Sequence, residues 1–307
     1  MHSNTDKPLR ILLTGSNGQL GREFRELERA YPAFQFTFTG RAELDVTQEG
    51  AISAFFTAHT FDYCINCAAY TAVDKAESEP EAAQLGNVDA VRWLAEACAR
   101  QGIPLVHYST DYVYHNQQNT PFKEGDLTTP QSVYARTKLA GEQAAQAVHP
   151  QTLILRTSWV YSSFGHNFVK TMLRLGKERD ELKVVFDQVG TPTYARGLAR
   201  ATLEMIRKVE GGEVPRNQLQ GIYHYSDEGV CSWYDFALAI FELAGLECKI
   251  WPIETKDFPT AAARPPYSVL NKGKIKAVFG LELQHWRVSL QEMITHPGIK
   301  SWQNRRL

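Results

Sequence analysis

The sequence predicts an α/β protein built on a doubly wound parallel sheet, with a smaller α/β lobe toward the C-terminal end. Three observations carry this. Short apolar runs alternate with amphipathic helical stretches through the first half of the 307-residue chain, the pattern of successive βαβ units. A glycine-rich turn stands between the first run and the first helical stretch. The second half loses the alternation and gathers prolines between positions 252 and 266.

The elements follow in order. RILLT (10–14) is the first strand, and a helical pattern runs from the glycine turn to about residue 30. FQFTFT (34–39), rich in aromatics and threonine, reads as the second strand. Residues 47–59 have helical spacing with Thr47 placed to cap them, and 63–67 is a buried strand. Apolar residues recur at helical spacing over 81–101 (Leu85, Val88, Val91, Leu94, Ala95, Cys98), and Gly102 is a helix stop. Strands follow at 104–109 and 152–157, flanking a helix at 132–148. Beyond them, helices are expected at 168–178, 195–209 and 233–244. The expected division is a dinucleotide-binding domain over 1–165, with 190–225 returning to it, and a substrate lobe over 166–189 and 226–307.

Apolar residues make up 43% of the chain, enough for a large core, and the net charge is −1. No Lys/Arg run marks a nucleic-acid surface. No stretch approaches the roughly 20 apolar residues that span a bilayer, and the first eight residues lack the apolar segment of a secretory signal. A cytoplasmic protein without membrane or nucleic-acid partners is expected. The cysteines are five: Cys64, Cys67, Cys98, Cys231 and Cys248. Cys64 and Cys67 form a CxxC, but positions three apart on a strand point to opposite faces. Neither a disulfide framework nor a metal site is expected.

Gly15, Gly18 and Gly21 lie three apart between a strand and a helix, with Ser16, Asn17, Gln19 and Leu20 between them. Such a turn lets backbone N–H groups and the positive helix end approach a pyrophosphate. This predicts a Rossmann-type dinucleotide site. The second strand should end in an acid if an NAD ribose is bound. It ends instead in Thr39, Gly40 and Arg41, whose guanidinium fork suits a 2′-phosphate. NADPH is therefore expected, with NADH as the alternative. Ala68, Ala69, Tyr70 and Thr71 follow a strand, at the end where open α/β sheets bind ligands.

Tyr134 and Lys138 are four apart and share one face of the helix that Ser132 starts. A nearby ammonium should lower the tyrosine pKa, and a tuned phenol can exchange a proton with a carbonyl or alcohol oxygen. Thr110, at a strand end, could hydrogen-bond the same oxygen. Asp111 comes next.

Together the TGxxGxxG turn, Thr110, Tyr134 and Lys138 resemble the catalytic set of extended short-chain dehydrogenases/reductases. Longer stretches narrow the likeness: AAYTAVDKAE (68–77), HYSTDYVY (107–114), YARTKLAGE (134–142), LRTSWVY (155–161), NFVKTML (167–173) and RPPYSVL (264–270). In this order they resemble the dTDP-4-dehydrorhamnose reductase family, over about residues 9–294. The resemblance implies NADPH-dependent reduction of the 4-keto group of a nucleotide-linked 6-deoxy sugar, with dTDP-L-rhamnose as product. It places the cofactor on Gly15 to Gly21, Asp45, Val46, Ala68 to Thr71 and Tyr108, with Tyr134 and Lys138. It places the sugar against Val73, Thr110, Asp111, Tyr134 and Trp159, and Arg264 near the diphosphate. For Trp159 the alternative is a core tryptophan, and for Arg264 a salt bridge at a helix end.

Nucleotide-sugar 4,6-dehydratases carry Asp-Glu after the catalytic threonine; here Tyr112 follows Asp111, which argues against dehydration. An epimerase uses the same triad and stays open, as does a reductase of another nucleotide-linked 6-deoxy sugar. A non-catalytic NADP-binding regulatory subunit would be expected to have a damaged triad, and this triad is intact. A homodimer is left open.

Overall fold

A computed structural model describes residues 7–304; the polar start of the chain, read above for signal character, lies largely outside them. The first half folds as β1 (Leu9–Thr14), α1 (Gln19–Leu27), β2 (Phe34–Thr39), α2 (Glu49–Ala58), β3 (Tyr63–Asn66), α3 (Val73–Ala76), α4 (Pro80–Gln84), α5 (Ala90–Gln101), β4 (Leu105–Thr110), α6 (Val133–Val148) and β5 (Thr152–Thr157). It continues as β6 (Val160–Tyr161), α7 (Phe168–Glu178), β7 (Glu181–Val185), β8 (Val189–Gly190), β9 (Thr193–Tyr194), α8 (Ala195–Glu210) and β10 (Gly221–His224). The last part is β11 (Cys231–Ser232), α9 (Trp233–Ala244), β12 (Lys249–Ile253), α10 (Gly273–Phe279), α11 (Trp286–Thr295) and α12 (Pro297–Asn304).

Six parallel strands form the main sheet in the order β2-β1-β3-β4-β5-β10. Both of its faces are covered, and the strand alternation assigns residues to each. Ile11, Leu13, Ile65 and Val106 point toward α1, α8 and α10. Leu12, Cys64 and Leu105 point toward α2, α5 and α6. Burial of each such side chain stabilises the fold by about 1.5–3 kcal/mol. Strand order reverses between β1 and β3, so their C-terminal ends open the crevice where α/β sheets bind ligands.

A separate core holds α7, α9 and α11, with Phe236, Ile240, Trp286 and Leu290 buried at its centre. Three two-stranded sheets, β6-β9, β7-β12 and β8-β11, border it. The returning segment packs on the main sheet through Leu198, Leu203 and Ile206 of α8. So does α10 through Ile275 and Phe279, a segment that the expected division gave to the smaller lobe. Their apolar side chains complete the face that α1 leaves uncovered.

The Thr47 cap is corrected. The α2 helix begins at Glu49 behind Gln48, with no side-chain cap. Thr47 instead donates both its hydroxyl (2.6 Å) and its amide (3.0 Å) to Asp45 Oδ1, a local turn that competes with helix entry. The stretch 81–101 is helical but interrupted by a π-turn over Leu85–Asp89. Gly102 ends it in the left-handed conformation, φ 67°.

Candidate active site

The glycine loop after β1 is shaped by two close approaches. Gly15 has φ 66°, and a Cβ there would lie 2.5 Å from the Ala68 nitrogen at the end of β3. A Cβ on Gly21 would lie 2.5 Å from Ser16 Cα. Gly18 stands at the N-cap of α1 and offers no side chain to its first turn. The opening N–H groups of α1 are thus left without a side-chain cap, beside a bare backbone cradle. That is the donor set a pyrophosphate takes, and it fits a dinucleotide.

Two cavities adjoin along the strand ends, sharing Gly18, Cys67, Ala68 and Ala69. The first, about 600 Å³, is lined by Gly15, Asn17, Arg41, Asp45, Val46 and Tyr70 among others. Arg41 is exposed at its edge, 3.6 Å from Asp45. The Asn17 amide lies close against Gly40, so a side chain there would have to displace it. The second cavity, about 460 Å³, gathers Gln19, Leu20, Thr71, Val73, Tyr108, Thr110, Asp111, Tyr134, Lys138 and Trp159. Nearly all the expected cofactor and substrate residues therefore meet in one cleft; Gly21 shapes the loop from behind.

The α6 helix presents Tyr134 and Lys138 to the second cavity. Ser132 caps it by accepting from the Ala135 amide (3.2 Å), and Glu77 accepts from the Val133 amide (2.7 Å). Burial pushes the Tyr134 phenol up to about 12, while the Thr110 hydroxyl beside it pulls it down. The expected lowering by lysine is thus overturned. Lys138 instead donates to the Tyr108 carbonyl (2.6 Å) and faces His107 Nε2 (3.3 Å). Burial lowers Lys138 to about 8. Asp111 is raised to about 7, again by burial. Its Oδ1 accepts from the Thr110 hydroxyl (3.1 Å), the nearby Ser268 hydroxyl offsets part of the rise, and Oδ2 is buried without a well-formed hydrogen bond.

Trp159 is half-buried and alone among the described non-glycine residues in having positive φ, 47°. Its ring stacks on Trp233 at 3.6 Å and 5°, and Gly190 packs flat against it. Strain of this kind persists only where surroundings hold it, and it gathers at ligand sites.

These features invite comparison with known proteins. Residues 9–298 match the RmlD substrate binding domain family. The chain belongs to that family. It is 42% identical over 298 residues to the dTDP-4-dehydrorhamnose reductase of Escherichia coli (strain K12), covering 93% of this chain and 97% of the relative. The crystal structure of a dTDP-4-dehydrorhamnose reductase from Clostridium acetobutylicum superposes with TM-score 0.87 at 42% identity, covering 93% of this chain and 98% of that one. That of Bacillus anthracis, in complex with NADP, also gives 0.87, at 36% identity over 94% and 99% of the two chains.

One open alternative for this RmlD-family chain is decided by the structure, and further features lay outside the sequence reading. Arg264 is held by Asp74 of α3 through two hydrogen bonds, 3.0 and 2.7 Å. The structure thus contains the salt-bridge alternative, and Arg264 does not line either cavity. Asn87, inside the π-turn, accepts from the Tyr70 amide (2.9 Å) and donates to the Tyr70 carbonyl (3.1 Å) and to Thr137 (3.2 Å). It ties the loop after β3 to α6. π-Turns are frequent at functional sites, but nothing in the residue spacing signals this one. His107 and Trp233 were missed as well. Trp233 opens a helix whose position was expected, but its stacking on Trp159 joins residues far apart in the chain. All five cysteines are free. Among the described residues no group of metal ligands occurs and no helix is long and apolar enough to cross a membrane.

Proposed function

We propose that this chain is an NADPH-dependent reductase of the 4-keto group of dTDP-4-dehydro-L-rhamnose, forming dTDP-L-rhamnose in the cytoplasm. The observation that carries it is the cluster of buried Thr110, Asp111 and Lys138 with half-buried Tyr134, opening onto the glycine cradle through a shared wall. The NADP complex of a similar reductase supports the cofactor. In this reading Gly15, Asn17, Gly18, Gln19 and Leu20 hold the pyrophosphate. Arg41 meets the 2′-phosphate, and Asp45, Val46 and Ala68 to Thr71 hold the adenosine half and the path onward.

Bound NADPH supplies a hydride to the keto carbon. The residues of the chain manage the oxygen. Tyr134, its proton held firmly by burial, gives that proton only to a strong base such as the alkoxide that forms. Thr110 donates to the same oxygen and keeps the sugar in register. Lys138, one helical turn on, stands where it can return a proton to the phenolate that appears. Asp111, Val73 and the flat face of Trp159 position the sugar ring. The two cores, one under the cradle and one under Trp233, form the two lobes between which the nucleotide sugar enters.

The test is NADPH oxidation with the keto-sugar generated in place from dTDP-glucose by the preceding enzymes. Oxidation dependent on that sugar, with dTDP-L-rhamnose as product, is expected. No oxidation with NADPH or NADH would remove this substrate.

A further inference from the structure

Three residues on adjacent strands form a polar row across the sheet. Thr14 of β1 pairs with Asn66 of β3, and Asn66 pairs with His107 of β4. All three are buried, and the row ends at Lys138. It joins the residue just before the glycine cradle to the catalytic helix.

Its hydrogen bonds can be oriented. The Ala68 amide, an unambiguous donor, points to Asn66 Oδ1 at 3.0 Å. Thr14 donates its hydroxyl to the same oxygen at 2.7 Å. The Asn66 carboxamide is thereby fixed with Nδ2 toward His107 Nδ1, 3.1 Å away. Nδ2 can only donate, so His107 Nδ1 must accept. Burial keeps His107 neutral by holding its pKa well below the usual value. The ring proton therefore sits on Nε2 and points at Lys138 Nζ, 3.3 Å away.

Lys138 thus meets one acceptor, the Tyr108 carbonyl, and one donor, the His107 Nε2–H. An ammonium has three donors and no lone pair; an amine has a lone pair. We propose that the Thr14–Asn66–His107 row acts as a positioning device that presents a donor to Lys138 and so favours its neutral amine. Tyr134 stands one turn before Lys138 and Glu142 one turn after it, and Cys67 and Asp111 line the same cavity; the Tyr108 phenol points to the other face of the sheet, to Thr202. Glu142 opposes the row by raising Lys138, but its carboxylate is engaged by Arg156.

The role rests on the reductase reading. After Tyr134 gives its proton to the substrate oxygen, the phenolate must regain one. Lys138 releases a proton toward it, through an intervening hydroxyl or water, and becomes an amine. The His107 Nε2–H then bonds to the freed lone pair, and Lys138 regains its proton from solvent. The row makes that release easier without touching substrate.

The first test needs no variant: the long-range ¹H–¹⁵N spectrum of His107 in the whole protein. The Nε2–H tautomer is expected, and the Nδ1–H tautomer would overturn the proposal. The second follows Lys138 by side-chain NMR through a pH titration, its signal assigned by loss in Lys138→Arg. In His107→Leu the midpoint should rise by about one unit, tenfold in proton affinity, because the bond to the amine is gone. A fall would mean that His107 accepts from the ammonium, and no change that it only fills space; either defeats the proposal. The alkaline limb of kcat/KM should move with the midpoint. If the unaltered protein oxidises no NADPH, the reductase reading fails while both NMR outcomes still decide the tautomer.

Discussion

Along the inward face of α6, the surroundings of Glu142 and those of Tyr134 and Lys138 differ in how their polar groups are satisfied. On one side Arg156 and Glu142, 3% and 1% exposed, form a bidentate pair at 2.6–3.2 Å. Ser109 donates to the same carboxylate. Arg156 also donates to the Tyr114 hydroxyl at 2.6 Å, and that hydroxyl contacts His224 Nε2 at 2.9 Å. On the other side Asp111 Oδ2 and Thr157 Oγ1 lack a hydrogen bond; burial displaces the pKa values of Tyr134, Lys138 and Asp111 there, but those of Tyr114 and His224 on the paired side as well. The paired side fixes the helix. The side with spare hydrogen-bonding capacity is the one facing the cavity, where a substrate can supply what is missing. Polar burial alone therefore does not mark a reactive group; incomplete pairing beside a cavity does.

Tyr134→Phe is the sharpest way to break the reactive side alone. It should lower turnover by about 10²–10⁴-fold and leave NADPH binding and thermal stability nearly unchanged. Stopped-flow turnover with fluorescence titration of the cofactor checks both, and an unchanged turnover would remove Tyr134 from the reaction. Arg156→Met is the converse. It leaves Glu142 buried without its partner and should cost about 3–5 kcal/mol in denaturant unfolding. The double variant with Glu142→Gln should recover part of that loss. If Arg156→Met costs nothing, the paired side is not what fixes α6.

Much of the frame was legible because it is local. The strands at 34–39 and 152–157 and the helices at 168–178 and 233–244 have the bounds expected from alternation and turn residues. The glycine cradle was legible for the same reason: strand, turn and helix are contiguous. Asn87 was not, since its partners Tyr70 and Thr137 lie 17 and 50 positions away. The direction of the Tyr134 shift was misread because spacing shows which residues share a helix face, not how deeply the face is buried. Here burial outweighs any effect of Lys138.

Asp111→Asn tests whether the reactive side costs stability. A carboxyl raised to about 7 keeps its proton in the folded state while the unfolded chain releases it near pH 4. Between those values the native state binds more protons, so stability falls as pH rises, and above about 7 the cost is constant. The variant lacks this slope. Relative to the parent it should gain stability from pH 4 to 7 and hold a few kcal/mol above that, while losing turnover. Asp227 is raised to about 7 as well but is present in both proteins, so the difference isolates Asp111. Parallel pH–stability curves would show that Asp111 is not strained by burial.

Arg41→Ala extends the comparison to the cavity at the far end of the cleft, where the effect should be smallest. Arg41 is 80% exposed and its only described ion pair is with Asp45 at 3.6 Å, so solvent screens whatever it contributes. A 2′-phosphate would replace that weak pairing with charge-assisted hydrogen bonds. The exposed setting limits the gain to about 1 kcal/mol, roughly fivefold in affinity. NADPH should therefore weaken about fivefold and NADH hardly at all, and the NADPH difference should shrink as salt is raised. The sign of the selectivity matters more than its size. Equal weakening of both cofactors would mean that Arg41 merely orders the loop through Asp45, leaving the 2′-phosphate to be read by the backbone around Gly40.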